Sequence, residues 1–205
     1  MKSSILFITL PLFLFCCHQK NQSVEQTKYE TIVINADSCK KWGLEPVNFE
    51  ISFPDYYSPE LNSSGGFYLQ LTKLNNDTLL HQISIGRAAN LEIDKLNKYL
   101  HDSDSIFKNV FENAGIKYTT DFIGNANFLG QKVEQSRASV IFNNFMIGES
   151  VVNGEYSAFT TFRISENNPV EAIVISILSS KEDVLNPENN VAVENERIIS
   201  TLVLK

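Results

Sequence analysis

The sequence predicts an α+β domain, a mainly antiparallel sheet flanked by helices, and three observations carry that expectation. After Gly115 the chain alternates apolar and polar residues over 119–128, 131–145 and 156–164, the period-two pattern of strands with one buried face. Residues 170–178, Val-Glu-Ala-Ile-Val-Ile-Ser-Ile-Leu, are almost continuously apolar, as a central strand covered on both faces should be. Asn186-Pro187-Glu188 then opens a last helix, with a capping side chain and proline at the first helical position.

From the N-terminal end, residues 29–34 (Tyr-Glu-Thr-Ile-Val-Ile) read as a first strand, followed by a loop through Asp37, Ser38 and Lys40-Lys41. In residues 48–54, Phe49, Ile51 and Phe53 alternate with polar residues until Pro54 stops the run, which predicts a half-buried strand. Residues 55–66, with Tyr56-Tyr57, Pro59 and Gly65-Gly66, read as a long loop. Residues 67–74 and 78–85 form a hairpin around Asn75-Asn76-Asp77. Residues 91–113 carry helical spacing, which His101-Asp102-Ser103-Asp104-Ser105 interrupts, so two helices are predicted, the second capped by Asp104 or Ser105. Val152-Asn153-Gly154-Glu155 is a tight-turn signal. The final helix carries Val191, Val193, Ile198 and Ile199 and passes into Thr201-Leu202-Val203-Leu204.

The first seventeen residues are of another kind. Met1-Lys2 precedes an apolar run that ends Leu14-Phe15-Cys16-Cys17, and the chain turns polar at His18. That is the layout of an export signal. The run is about thirteen residues and holds Thr9 and Pro11, short of the roughly twenty apolar residues a spanning helix needs. Leu14, Cys16 and Cys17 resemble the lipobox of bacterial lipoprotein signals, with Cys17 as the lipidated residue and Phe15 bulkier than usual at its position. The resemblance implies removal of residues 1–16 and acylation of Cys17. The polar, aperiodic stretch that follows reads as a flexible tether, giving a lipidated tether over 17–28, and the remaining length suits a single domain over 29–205. Several acyl chains, at about 0.8 kcal/mol per buried methylene, would hold the protein on a membrane. His18, not aspartate, follows Cys17, which favours the outer membrane where the envelope has one.

Composition narrows the partners. The formal charge is −7 with no basic cluster, so nucleic acid is disfavoured as a ligand. With Cys16 removed and Cys17 lipidated, Cys39 stands alone and is expected to be a small buried residue. His18, His81 and His101 are far apart in sequence, and no ligand spacing accompanies them, so neither a metal nor a cofactor is expected. No nucleophile elbow or phosphate loop stands in the chain, and the protein is expected not to be an enzyme.

The order of elements resembles that of the PsbP-like family, an α/β/α sandwich. The resemblance rests on Phe49-Glu50-Ile51-Ser52-Phe53-Pro54 and on Glu196-Arg197-Ile198-Ile199-Ser200-Thr201-Leu202 and covers residues 44–205. It implies a module without shared catalytic residues that assists or binds larger assemblies, so a non-enzymatic module that binds or supports another envelope component is expected. Tyr56 and Tyr57, adjacent in a predicted loop, are the suspected contact surface. The alternative is a small-molecule carrier or an enzyme on the same sandwich. A deep pocket with convergent polar groups would favour that alternative; a filled core and an exposed aromatic patch would favour protein docking.

Overall fold

The computed structural model describes residues 27–63, 67–88, 93–147, 150–164, 172–184 and 191–205. The predicted signal, Cys17, most of the tether and the Asn186-Pro187 helix start lie outside them.

A seven-stranded sheet is the frame. Its strands are β3 (Ser58–Ser63), β4 (Phe67–Asn75), β5 (Thr78–Arg87), β6 (Lys117–Phe128), β7 (Gln131–Ile147), β8 (Ser150–Ile164) and β9 (Ala172–Ser180), in spatial order β3-β4-β5-β9-β8-β7-β6. Every neighbouring pair in that order is antiparallel. A second sheet of β1 (Tyr29–Ile34), β2 (Phe49–Pro54) and β10 (Val203–Leu204) is ordered β1-β2-β10. The helices are α1 (Ala36–Trp42), α2 (Leu96–Asn113), the single-turn α3 (Lys181–Val184) and α4 (Val191–Ser200).

The sheet separates two cores. On one face, Leu69, Leu71, Ile83, Ile85, Ile173 and Ile175 pack against the small sheet, α1 and α4. Phe49, Ile51 and Phe53 of β2 are fully buried there, each contributing about 1.5–3 kcal/mol through burial. On the other face, α2 lies over β6 and β7, and its Phe111 packs with Tyr118, Val140, Phe142 and Tyr156.

Four sequence expectations change. The loop expected at residues 37–41 is α1: the Asn35 side chain accepts from the Ser38 N–H at 3.0 Å, and Gly43 stops the helix at φ 70°. The loop expected over 55–66 contains edge strand β3, paired with β4 through Ser58↔Thr72 to Ser63↔Phe67. The break expected at His101–Ser105 is absent, because α2 runs unbroken through it. Asp104 faces inward and accepts from Tyr118 Oη at 2.7 Å and Thr120 Oγ1 at 2.6 Å, so tertiary partners outweigh its low helix propensity. Asn153-Gly154 makes no turn. It sits inside β8, where Gly154 (φ 95°) stands opposite Phe142 at a bulge in β7 and the Asn153 side chain accepts from the Asn144 N–H at 3.2 Å.

Candidate functional site

Antiparallel pairing places directly opposed residues on one face of a sheet. Four consecutive pairings align Gln70↔Ser84 (β4–β5), Ser84↔Ser176 (β5–β9), Ser176↔Thr160 (β9–β8) and Thr160↔Ser136 (β8–β7). The outcome is one straight row of amide and hydroxyl side chains across five strands, on the face that α2 only partly covers. Gln70 Nε2 donates to Ser84 Oγ at 3.2 Å, and the Thr160 and Ser176 hydroxyls lie 3.4 Å apart. Both contacts are longer than the usual 2.7–2.8 Å between hydroxyls or 2.9–3.0 Å from an amide.

Aromatic rings wall this row. Phe107 and Phe111 come from adjacent turns of α2, with ring centres 6.4 Å apart, and Phe111 stacks on Tyr118 of β6 at 5.7 Å. Phe67 closes the side toward β4. Its ring sits close over Gly86 across the strand pair, where a Cβ would meet Phe67 Cδ1 at 3.1 Å and Val174 Cγ1 at 3.3 Å. The Tyr118 phenol is pushed up above its ordinary pKa by burial and then by its hydrogen bond to Asp104, so it stays protonated and keeps donating.

Between row and rings lies a cavity of about 170 Å³. That is below the ~300–1,000 Å³ of sites that enclose a whole drug-sized ligand, so it fits one ring or one segment of a larger molecule. Gln82 adds a second amide, and Ala138, Ala158 and Leu178 add apolar surface. Among the described residues no aspartate, glutamate, histidine, lysine or arginine lines it.

A wider cleft of about 680 Å³ lies where the start of α2 meets the ends of β7, β8 and the C-terminal segment, with Asn125, Lys132, Glu134, Arg163 and Leu202 in its wall. Its carboxylate is already engaged: Glu134 accepts from Asn97 Nδ2 at 3.1 Å and from Asn125.

The same layering is found in the solution structure of the cyanobacterial PsbP protein CyanoP from Synechocystis sp. PCC 6803, which superposes with a TM-score of 0.52 at 12% identity over 89% of this chain and 96% of that one. This is the PsbP-like fold. A second structure, LpqN, described as involved in cell envelope biogenesis of Mycobacterium tuberculosis, superposes with a TM-score of 0.51 at 10% identity over 86% of this chain and 91% of that one. No family model and no curated protein sequence matches the chain.

Within the PsbP-like frame, the residues singled out in the sequence scatter. Tyr57 is buried in the core of the sandwich, so the two adjacent tyrosines do not form a common surface. Its hydroxyl donates to Glu194 Oε2 at 3.4 Å. Tyr56 is 47% exposed and lies under the Lys73 ammonium, 4.8 Å from its ring centre. Lys73 also pairs with Glu194 at 3.2 Å, and burial holds the Glu194 carboxyl above its ordinary pKa. His81 is fully buried opposite Lys73 and Ser179, His101 is exposed on α2, and neither lines either cavity. Cys39 is fully buried, its Sγ 3.7 Å from the Val47 carbonyl oxygen. Among the described residues no group of three or more His, Cys, Asp or Glu is placed to hold a metal, and no helix is long and apolar enough to cross a membrane.

The polar row escaped the sequence reading. Gln70 between Leu69 and Leu71, and Ser84 between Ile83 and Ile85, look like ordinary outward positions of alternating strands. Ser176 was the available signal, a hydroxyl inside an otherwise apolar run. Only register reveals that it aligns with the others.

Proposed function

We propose that this chain is a lipid-anchored cell-envelope protein, held through Cys17, whose folded domain is a non-enzymatic module that binds a small molecule. The carrying observation is the cavity between α2 and the large sheet, with its row of amides and hydroxyls and its aromatic wall. Convergent polar groups inside a concave, partly apolar site favour a small-molecule ligand over a docking surface for protein alone. A lining that offers hydroxyls and amides, with no carboxylate or imidazole to move protons and no base beside its serines, suits holding a molecule more than transforming it. The signal pattern ending at Cys17 supports the envelope location, and the description of LpqN as an envelope-biogenesis protein agrees with it.

The anchor is tested by phase partitioning of the full chain expressed in a bacterium with lipoprotein processing. The wild type should enter the detergent phase. Cys17→Ala should remain unprocessed or move to the aqueous phase. Normal processing together with unchanged membrane retention in that variant would overturn the lipoprotein reading.

A further inference from the structure

We propose that the cavity between α2 and the large sheet is a binding site for a single uncharged carbohydrate ring, its hydroxyls on the Gln70–Ser84–Ser176–Thr160 row and its C–H face against Phe107. The proposal rests on the small-molecule reading above and names the ligand class.

Charge decides first. The chain carries −7, yet among the described residues no ionic side chain lines the cavity. A charged ligand would lose its water shell there with no counter-charge to replace it. The ligand is therefore neutral.

The polar floor decides next. An acyl chain would cut the row off from water and leave it only the two long bonds among its own members, and burying donors and acceptors so poorly satisfied opposes binding. A ligand with several hydroxyls of its own, each able to donate and accept, satisfies the same groups. Neighbouring strands stand roughly 4.8 Å apart, so the row spreads its polar groups along a line over which a ring carrying several hydroxyls meets more than one of them. The long Gln70–Ser84 and Thr160–Ser176 contacts are weak bonds for a ligand hydroxyl to exchange for shorter ones.

The wall completes the match. Sugar rings present an apolar face of C–H groups beside an equatorial rim of hydroxyls. Phe107 is 39% exposed at the rim of the cavity, open to such a face, with Phe111 stacked behind it. The volume of about 170 Å³ admits one ring, so a longer glycan or a glycolipid would place a single unit inside and the rest outside. A peptide added as an extra strand would need a sheet edge, whereas the row lies on β4, β5, β9, β8 and β7, inside the edges β3 and β6.

The test uses the full chain in a detergent with no sugar headgroup, titrated with neutral methyl glycosides of glucose, galactose, mannose and N-acetylglucosamine, with glucuronate and with octanoate, and followed by amide chemical shifts. At least one neutral glycoside should bind and shift Gln70, Ser84, Thr160 and Ser176. Glucuronate should bind more weakly. Ser176→Val and Phe107→Ala, each confirmed as folded by its thermal transition, should weaken the glycoside roughly tenfold, the worth of one buried contact. Phe122→Ala, outside the cavity, should leave it unchanged. Octanoate binding on the same residues with no response to any glycoside would overturn the carbohydrate assignment while keeping the small-molecule reading. No response from that cavity to any of the probes would overturn both, and shifts confined to other surfaces would overturn the assignment of the site.

Discussion

The Tyr118 hydroxyl donates to Asp104 Oδ1 across 2.7 Å, and this buried bond ties the middle of α2 to strand β6. Thr120 Oγ1 donates to the second carboxylate oxygen at 2.6 Å, so both acceptors are used. The same tyrosine stacks on Phe111, which makes the pair a positioning device for the aromatic wall as well as a fastening for the helix.

Removing Asp104 should therefore cost more than removing either partner. Asp104→Ala removes two hydrogen bonds to the carboxylate, at about 1.5–3 kcal/mol each, and leaves the buried Tyr118 hydroxyl without its acceptor. Tyr118→Phe alone removes one hydrogen bond to the carboxylate, about 1.5–3 kcal/mol. In a double-mutant cycle read by denaturant unfolding, the two should couple by about 1 kcal/mol or more, within the range seen for residues in contact. Additivity of the two effects would mean that the bond does not hold helix and sheet together.

Gly86→Ala should destabilise the protein by about 1–3 kcal/mol, the usual cost of overpacking. The added methyl would stand 3.1 Å from Phe67 and 3.3 Å from Val174, and Phe67 would have to shift from its place beside the cavity. Glycine-to-alanine changes free of clash stabilise by about 0.4–1 kcal/mol through the unfolded chain, so the sign separates the two cases. Adding Phe67→Leu to Gly86→Ala should recover part of the loss, measured by thermal unfolding.

Most of the frame was legible because period-two alternation and apolar runs are local signals. β2, β4, β5 and β9 fall where Phe49-x-Ile51-x-Phe53, the hairpin around Asn75–Asp77 and the apolar run through Ile173 and Ile177 placed them. What failed was local chemistry overruled by distant partners. The polar knot His101–Ser105 looked like a helix break, but Asp104 finds Tyr118 and Thr120, more than a dozen residues away. Asn153-Gly154 looked like a hairpin turn, but the left-handed freedom of Gly154 serves a bulge. α1 was legible in principle, since Asn35 and Gly43 are its cap and stop; its few apolar residues concealed it. The binding row could not be found at all without register, because no two of its members are neighbours in the chain.

Alkaline pH should unfold the protein through its buried phenols. Burial pushes Tyr68 up to about 12 from 10.0, and it likewise raises Tyr57 and Tyr118. Between those values the unfolded chain gives up protons that the native state retains, so stability is intact below pH 10 and falls as pH rises toward 12. Phenolate absorbance should lag behind that of free tyrosine and then rise together with loss of the near-ultraviolet circular dichroism. Tyr68→Phe, which also gives up the 2.9 Å bond to the Glu45 carbonyl, should lower stability at neutral pH while reducing the alkaline loss. An unchanged alkaline slope in that variant would remove Tyr68 from this role.

Cys39 should react with a thiol reagent only when the whole domain unfolds. α1 has seven residues, too few to be stable alone in water, so its persistence depends on what it buries. Cys39 is fully buried in the same cluster as Val47, Phe49, Ile51 and Ile198, and its Sγ approaches the Val47 carbonyl oxygen. Exposing the thiol would require α1 to leave that cluster, while Asn35 and Gly43 hold its ends. Labelling of the Cys39 peptide, followed by mass spectrometry in increasing denaturant, should therefore track global unfolding with the same denaturant dependence. Rapid labelling in native buffer, with the sheet amides still protected from hydrogen exchange, would instead show that α1 opens as a separate low-stability unit.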